Sequence, residues 1–72
     1  MVEIKFLGYL TDLAGTRKKE VFIESPRPLR EILPPSFPEK NLIILIDGKP
    51  GDLETLVSPG QSVILMPILS GG

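Results

Sequence analysis

Proline brackets the one stretch of this chain that has the periodicity of a packed helix, and so limits how much helix the fold can hold. Ser25-Pro26-Arg27-Pro28 breaks the segment before it, and Pro28 is tolerated in a first helical turn, where its missing N–H is not needed. Leu29, Ile32 and Leu33 lie at i, i+3 and i+4, an apolar stripe suited to packing on a sheet. Pro34-Pro35 then stops the helix, because proline disfavours helical geometry in the residue before it. With the helix this short, most of the core of a 72-residue chain must come from strands.

Strand patterns flank it on both sides. Val2, Ile4 and Phe6 alternate with Glu3 and Lys5, the period of a half-buried strand. Thr11 to Gly15 reads as a single helical turn with Thr11 as N-cap and Gly15 as its end. Thr16-Arg17-Lys18-Lys19 reads as a polar turn, and a second strand is expected over Glu20–Glu24, with Val21 and Ile23 on one face. After the helix, Ser36–Asn41 is a connector with Phe37 tucked under the core. Leu42–Ile46 is a continuous apolar strand closed by a turn over Asp47–Gly51. Leu53, Leu56 and Val57 suggest a short strand or one 3₁₀ turn, Ser58–Gln61 a turn, and Val63–Leu69 the last strand. This order predicts an α+β fold: a mixed four- to five-stranded sheet with one short helix across one face, the ubiquitin-like β-grasp. A single domain over 1–72 with a flexible tail at 70–72 is expected.

Composition removes many chemistries. Cysteine and histidine are both absent, which excludes disulfides, thiolate or imidazole metal sites and nucleophile–histidine pairs. The carboxylates are scattered through turns and polar strand positions, with no pair spaced to act as general acid and base. Gly48 and Gly51 flank Lys49-Pro50 without the spacing of a phosphate loop, so a tight turn is the reading there. Arg17-Lys18-Lys19 is read as a solvated hairpin turn, with attraction of an acidic partner as the alternative. A net charge of −1 offers no pull toward nucleic acid or an anionic membrane. The apolar runs are too short to span a bilayer, so a cytoplasmic location is expected.

The remaining feature is the end of the chain. Val63 to Leu69 is apolar at every position, so the last strand has two hydrophobic faces. Either Val63 and Leu65 or Ile64 and Met66 point into the core, and the other pair is left to a docking surface or to solvent. The strand runs into Ser70-Gly71-Gly72. Two glycines, lacking Cβ atoms, can thread a channel too narrow for other residues. The carboxylate on Gly72 is ionised at neutral pH and a poor electrophile, so a partner must activate it, most simply as an acyl-adenylate made from ATP.

The chain resembles the small, sulfur-carrying subunit of molybdopterin synthase (the MoaD type), and more distantly the thiamine-pathway sulfur carrier (the ThiS type). The resemblance spans nearly the whole length. It is clearest at Ile4–Leu7 with Leu10–Thr16, at Pro28–Leu33, and at Pro59–Val63 running into Met66–Gly72. The Leu-Ala-Gly turn after the first strand favours the molybdopterin type. The chain departs at Ile68, where the family often has a second proline, and at the helix, which Pro34-Pro35 shortens.

The resemblance implies a sulfur carrier that is not an enzyme on its own. Gly72 would be adenylated by an E1-like activating enzyme and converted to a thiocarboxylate with sulfur from a donor protein. It would then enter the molybdopterin synthase large subunit. Gly71 would thread the channel, and Leu7, Met66, Pro67, Ile68, Leu69 and Ser70 would face the partner; this places Val63 and Leu65 inward. No metal or tightly bound cofactor is implied, since ATP and Mg belong to the activating enzyme. The alternatives are a ubiquitin-like modifier joined to lysines through Gly72, a carrier for thiamine or tRNA thiolation, and a plain interaction module whose glycines are incidental.

Overall fold

The computed structural model describes residues 1–35 and 37–68. Its centre is a parallel pair made from the two ends of the chain, β1 (Val2–Phe6) and β7 (Ser62–Pro67), in the register Glu3↔Ser62 to Phe6↔Leu65. Antiparallel neighbours extend the sheet on both sides: β2 (Lys18–Val21) on β1, and β4 (Leu42–Ile46) on β7. β5 (Lys49–Gly51) closes the far edge, giving the order β2-β1-β7-β4-β5. A separate two-stranded ribbon pairs β3 (Arg27–Pro28) with β6 (Leu56–Val57).

Three local expectations need correction. Thr11 does not cap α1 (Leu10–Ala14), because the turn is already under way at Gly8 and Tyr9, whose carbonyls accept from Thr11 and Asp12. The Thr11 hydroxyl instead donates to the Phe6 carbonyl at 3.0 Å, tying α1 back to β1. Gly15 does end the helix, in the left-handed conformation at φ +77° with its N–H on the Thr11 carbonyl.

The second strand starts and stops earlier than its alternation suggests. Val2↔Val21 is the last pair of the hairpin, so β1 offers no backbone beyond it, while Lys18 and Lys19 are drawn into the ladder opposite Lys5 and Ile4. Lysine suits this position because β2 is an edge strand with its outer side open to water. The third correction lies at Asp47–Gly51. Asp47 and Gly48 have φ of +51° and +81°, the paired positive values of a two-residue type I′ turn, and Lys49–Gly51 pairs back on β4. The expected five-residue turn is therefore a tight hairpin.

The prolines act as expected. α2 spans Leu29–Ile32, and Leu33 before Pro34 is extended at φ −96°, ψ 156°. The first N–H groups of the helix, which lack partners within it, donate to carbonyls across the structure: Leu29 to Thr55 and Arg30 to Leu53. The β3–β6 ribbon holds that loop in reach. Beneath α2 lies a core in which Val2, Ile4, Phe6, Leu10, Leu29, Val57, Val63 and Leu65 are almost fully buried. Phe37 joins them, its ring 5.5 Å from that of Phe6. Among the described residues no polar or charged side chain is buried, and no helix is long and apolar enough to cross a membrane.

Candidate docking face and tail exit

Strand β7 divides its side chains as alternation requires. Val63 and Leu65 point under α2 and are fully buried, so Ile64 and Met66 lie on the opposite face of the sheet. Among the described residues no helix covers that face. Its apolar half is built from cross-strand pairs, Ile43↔Met66 and Leu45↔Ile64, with Pro50 beyond Leu45. Ile43 is 42% exposed and Leu7 43%. Continuing the parallel register one step past Phe6↔Leu65 sets Leu7 level with Met66, and the Leu7 N–H donates to the Leu65 carbonyl at 3.0 Å.

Ile43 and Leu45 carry this face as much as Met66 does, yet the sequence reading did not single them out. The signal is the unbroken run Leu42–Ile46: a strand apolar at every position has a second face to cover.

The end of β7 is held tightly. Pro67 falls on the opposite side of the alternation from Met66 and is half-buried against Gly8. A Cβ on Gly8 would lie 2.9 Å from Pro67 Cγ, and the backbone there has φ +59°, so glycine is required twice over. Ile68 is 48% exposed, and its N–H donates to the Asn41 carbonyl at 2.9 Å, one step past the Leu42↔Pro67 pair. The structure thus places Leu7, Met66, Pro67 and Ile68 together at one end of the sheet. Leu69, Ser70, Gly71 and Gly72 lie outside the described residues.

Opposite this end, Asp47 ties two turns together. Its N–H donates to the Ser62 carbonyl, its carboxylate accepts from the Ser62 N–H at 2.9 Å, and the Gln61 side chain donates to it at 3.1 Å. Among the described residues no three of His, Cys, Asp and Glu converge to hold a metal ion.

A five-stranded mixed sheet with a central parallel pair of terminal strands and a short helix across one face is the ubiquitin-like β-grasp fold. Solved structures share it from end to end. SAMP1 from Haloferax volcanii superposes with a TM-score of 0.73 at 18% identity, covering 99% of this chain and 98% of that one. A second structure of that organism's small archaeal modifier protein 1 gives a TM-score of 0.71 at 15% identity, covering 94% and 97%. A Pyrococcus furiosus protein described as molybdopterin converting factor, subunit 1, gives the same TM-score, identity and coverage. At such identities the likeness establishes the fold. No family model matches the sequence, and no curated protein matches it.

Proposed function

We propose that this protein is a ubiquitin-like sulfur carrier whose Gly72 carboxylate is the reacting group. The observation that carries the reading is the course of β7. It is anchored in the middle of the sheet, buries Val63 and Leu65, and leaves Ile64 and Met66 beside an open apolar face; in sequence it is followed closely by Ser70-Gly71-Gly72. A folded domain with a docking face at the base of a tail that ends in two glycines suits delivery of a chain end into a partner's buried site. In this reading Leu7, Ile43 and Met66 hold the partner while Gly71 and Gly72 reach into it.

The chemistry is an adenylyl transfer followed by an acyl substitution. An E1-like enzyme, using its own ATP and Mg, joins the Gly72 carboxylate to AMP and releases pyrophosphate. A sulfide equivalent from a donor protein then attacks the acyl carbon; the C–S bond forms, the bond to AMP breaks, and Gly72 becomes a thiocarboxylate. The molybdopterin synthase large subunit is the proposed recipient, with thiamine or tRNA thiolation as other destinations. Protein modification through Gly72 is the second reading, favoured by the likeness in fold to small archaeal modifier protein 1.

Intact-protein mass spectrometry tests this. With an archaeal activating enzyme, ATP and a sulfur source, the chain should gain the mass of one oxygen-to-sulfur exchange. Removing Gly72, or adding one residue after it, should abolish the gain while the fold persists. Unimpaired conversion of either variant would refute the carrier reading. Gly-Gly remnants on lysines of other proteins would instead support the modifier reading.

A further inference from the structure

Beside Leu7, on the same end of the sheet as Pro67, lies an open groove of about 580 Å³ lined by Lys5, Leu7, Gly8, Thr11, Arg17 and Lys18. Three of its side chains are cationic and none is acidic, in a chain whose net charge is −1. Lys5 and Lys18 are direct cross-strand partners, a like-charge pair that weakens a sheet unless it is compensated. A single carboxylate serves both: Glu3 lies 3.9 Å from Lys5 and 3.3 Å from Lys18. Arg17 makes no ion pair among the described residues, so the groove keeps a surplus of positive charge.

The other like-charge pair of the hairpin, Glu3↔Glu20, sits at the opposite end. Charge is therefore graded along β1 and β2, and the basic end faces the side where β7 leaves the sheet, since β1 and β7 run parallel. Leu7 joins the basic groove to the apolar patch of Ile43 and Met66.

We propose that this groove receives an acidic, leucine-bearing segment of the protein that takes up the tail. Its carboxylates would pair with Lys5, Arg17 and Lys18, and its apolar side chain would rest on Leu7. The identity of that partner rests on the carrier reading above. A free phosphate is the poorer occupant, because phosphate sites draw on backbone N–H donors. Here the N–H groups of Phe6, Leu7, Thr11 and Lys18 already serve Arg17, Leu65 and Gly8 carbonyls and the Thr16 hydroxyl. The exposed Leu7 would also gain nothing from phosphate.

The test is an NMR titration of the ¹⁵N-labelled full chain with the synthetic peptide acetyl-EDLEDL-amide. Amide shifts should concentrate at Lys5–Gly8 and Arg17–Lys18, and should fade as salt shortens the reach of charges. The double variant Lys5→Gln/Arg17→Gln should weaken binding about fivefold to tenfold, as expected for losing one or two charge pairs. Lys40→Gln/Lys49→Gln, which removes the same charge from other exposed positions, should leave it unchanged.

Equal losses in both double variants would reduce the effect to net charge and overturn the proposal. So would an absence of shifts, or equal shifts with inorganic phosphate or with acetyl-EDSEDS-amide. Matching shifts on removal of residues 69–72, with no peptide added, would mean that the protein's own chain end occupies the groove, and would overturn it too. Since no activation step is involved, a groove that fails here leaves the mass-spectrometric test of Gly72 standing, and the reverse holds as well.

Discussion

At Gly8 the backbone takes φ +59°, and the space where a Cβ would stand is filled by Pro67. Gly15 is comparably left-handed at φ +77°, but nothing lies within 4 Å of its missing Cβ. The two positions separate conformational cost from steric cost. Gly15→Ala should lower the unfolding free energy by about 1–2 kcal/mol, the cost of placing an L-residue in that region. Gly8→Ala should cost about 1–3 kcal/mol more, because Pro67 must move and the end of β7 moves with it. Urea denaturation of both variants measures the difference, and equal losses would show that the Gly8–Pro67 contact contributes nothing. The cost at Gly8 was not legible in the sequence. Gly8 and Tyr9 read as an interruption of a strand, and nothing in the chain order indicates that Pro67, nearly sixty residues away, closes over Gly8.

Among the elements, β7 connects the core to the proposed docking face through alternate residues. Leu65→Ala should destabilise the protein by about 2–5 kcal/mol, as expected for truncating a fully buried leucine. Met66→Ser, one residue later on the other face, should change stability by about 1 kcal/mol or less while weakening capture of an activating enzyme. Thermal unfolding and binding measured on the same two variants should separate these effects. If Met66→Ser left capture intact, the open face would not be the docking surface.

The sequence left the parity of this strand open, because seven consecutive apolar residues carry no period. Family resemblance favoured Val63 and Leu65 inward, and their burial agrees. The β4–β5 hairpin was misread for a different reason. Asp47-Gly48 is a strong signal for a two-residue turn, but Lys49-Pro50-Gly51 has the composition of a loop, and only pairing with Ile44–Ile46 makes it a strand.

For the molecule as a whole, the charged groups contribute little to holding it together. All five ion pairs among the described residues lie at the surface, with Glu3 the most sheltered partner at 34% exposure, and no charged side chain among those residues is buried. Raising salt from about 0.05 to 1 M should therefore change the unfolding free energy by about 1 kcal/mol or less. Binding of the acidic peptide in the Lys5–Arg17–Lys18 groove should fall steeply over the same range. A large loss of stability in salt would mean that the Glu3–Lys5–Lys18 cluster does more for the fold than exposed pairs ordinarily do. Stability should also be indifferent to the tail: a chain ending at Leu69 should melt with the full-length protein.

What the sequence determined by itself follows from short-range chemistry. Proline limits α2 to the turns between Pro28 and Pro34. Alternation in Val2–Phe6 sets which residues of β1 face the core. The absence of cysteine and histidine excludes disulfides and thiolate or imidazole metal sites. Tertiary structure decided what depends on chain segments far apart in sequence. The pairing of β1 with β7 places Leu7 beside Met66, the end of β1 fixes where β2 stops, and the hairpin register gathers Lys5, Arg17 and Lys18 at the tail's end of the sheet. Periodicity records which way a side chain points within its own strand. Which strand lies beside it is settled only when the whole core packs, and the proposed docking face depends on that neighbour.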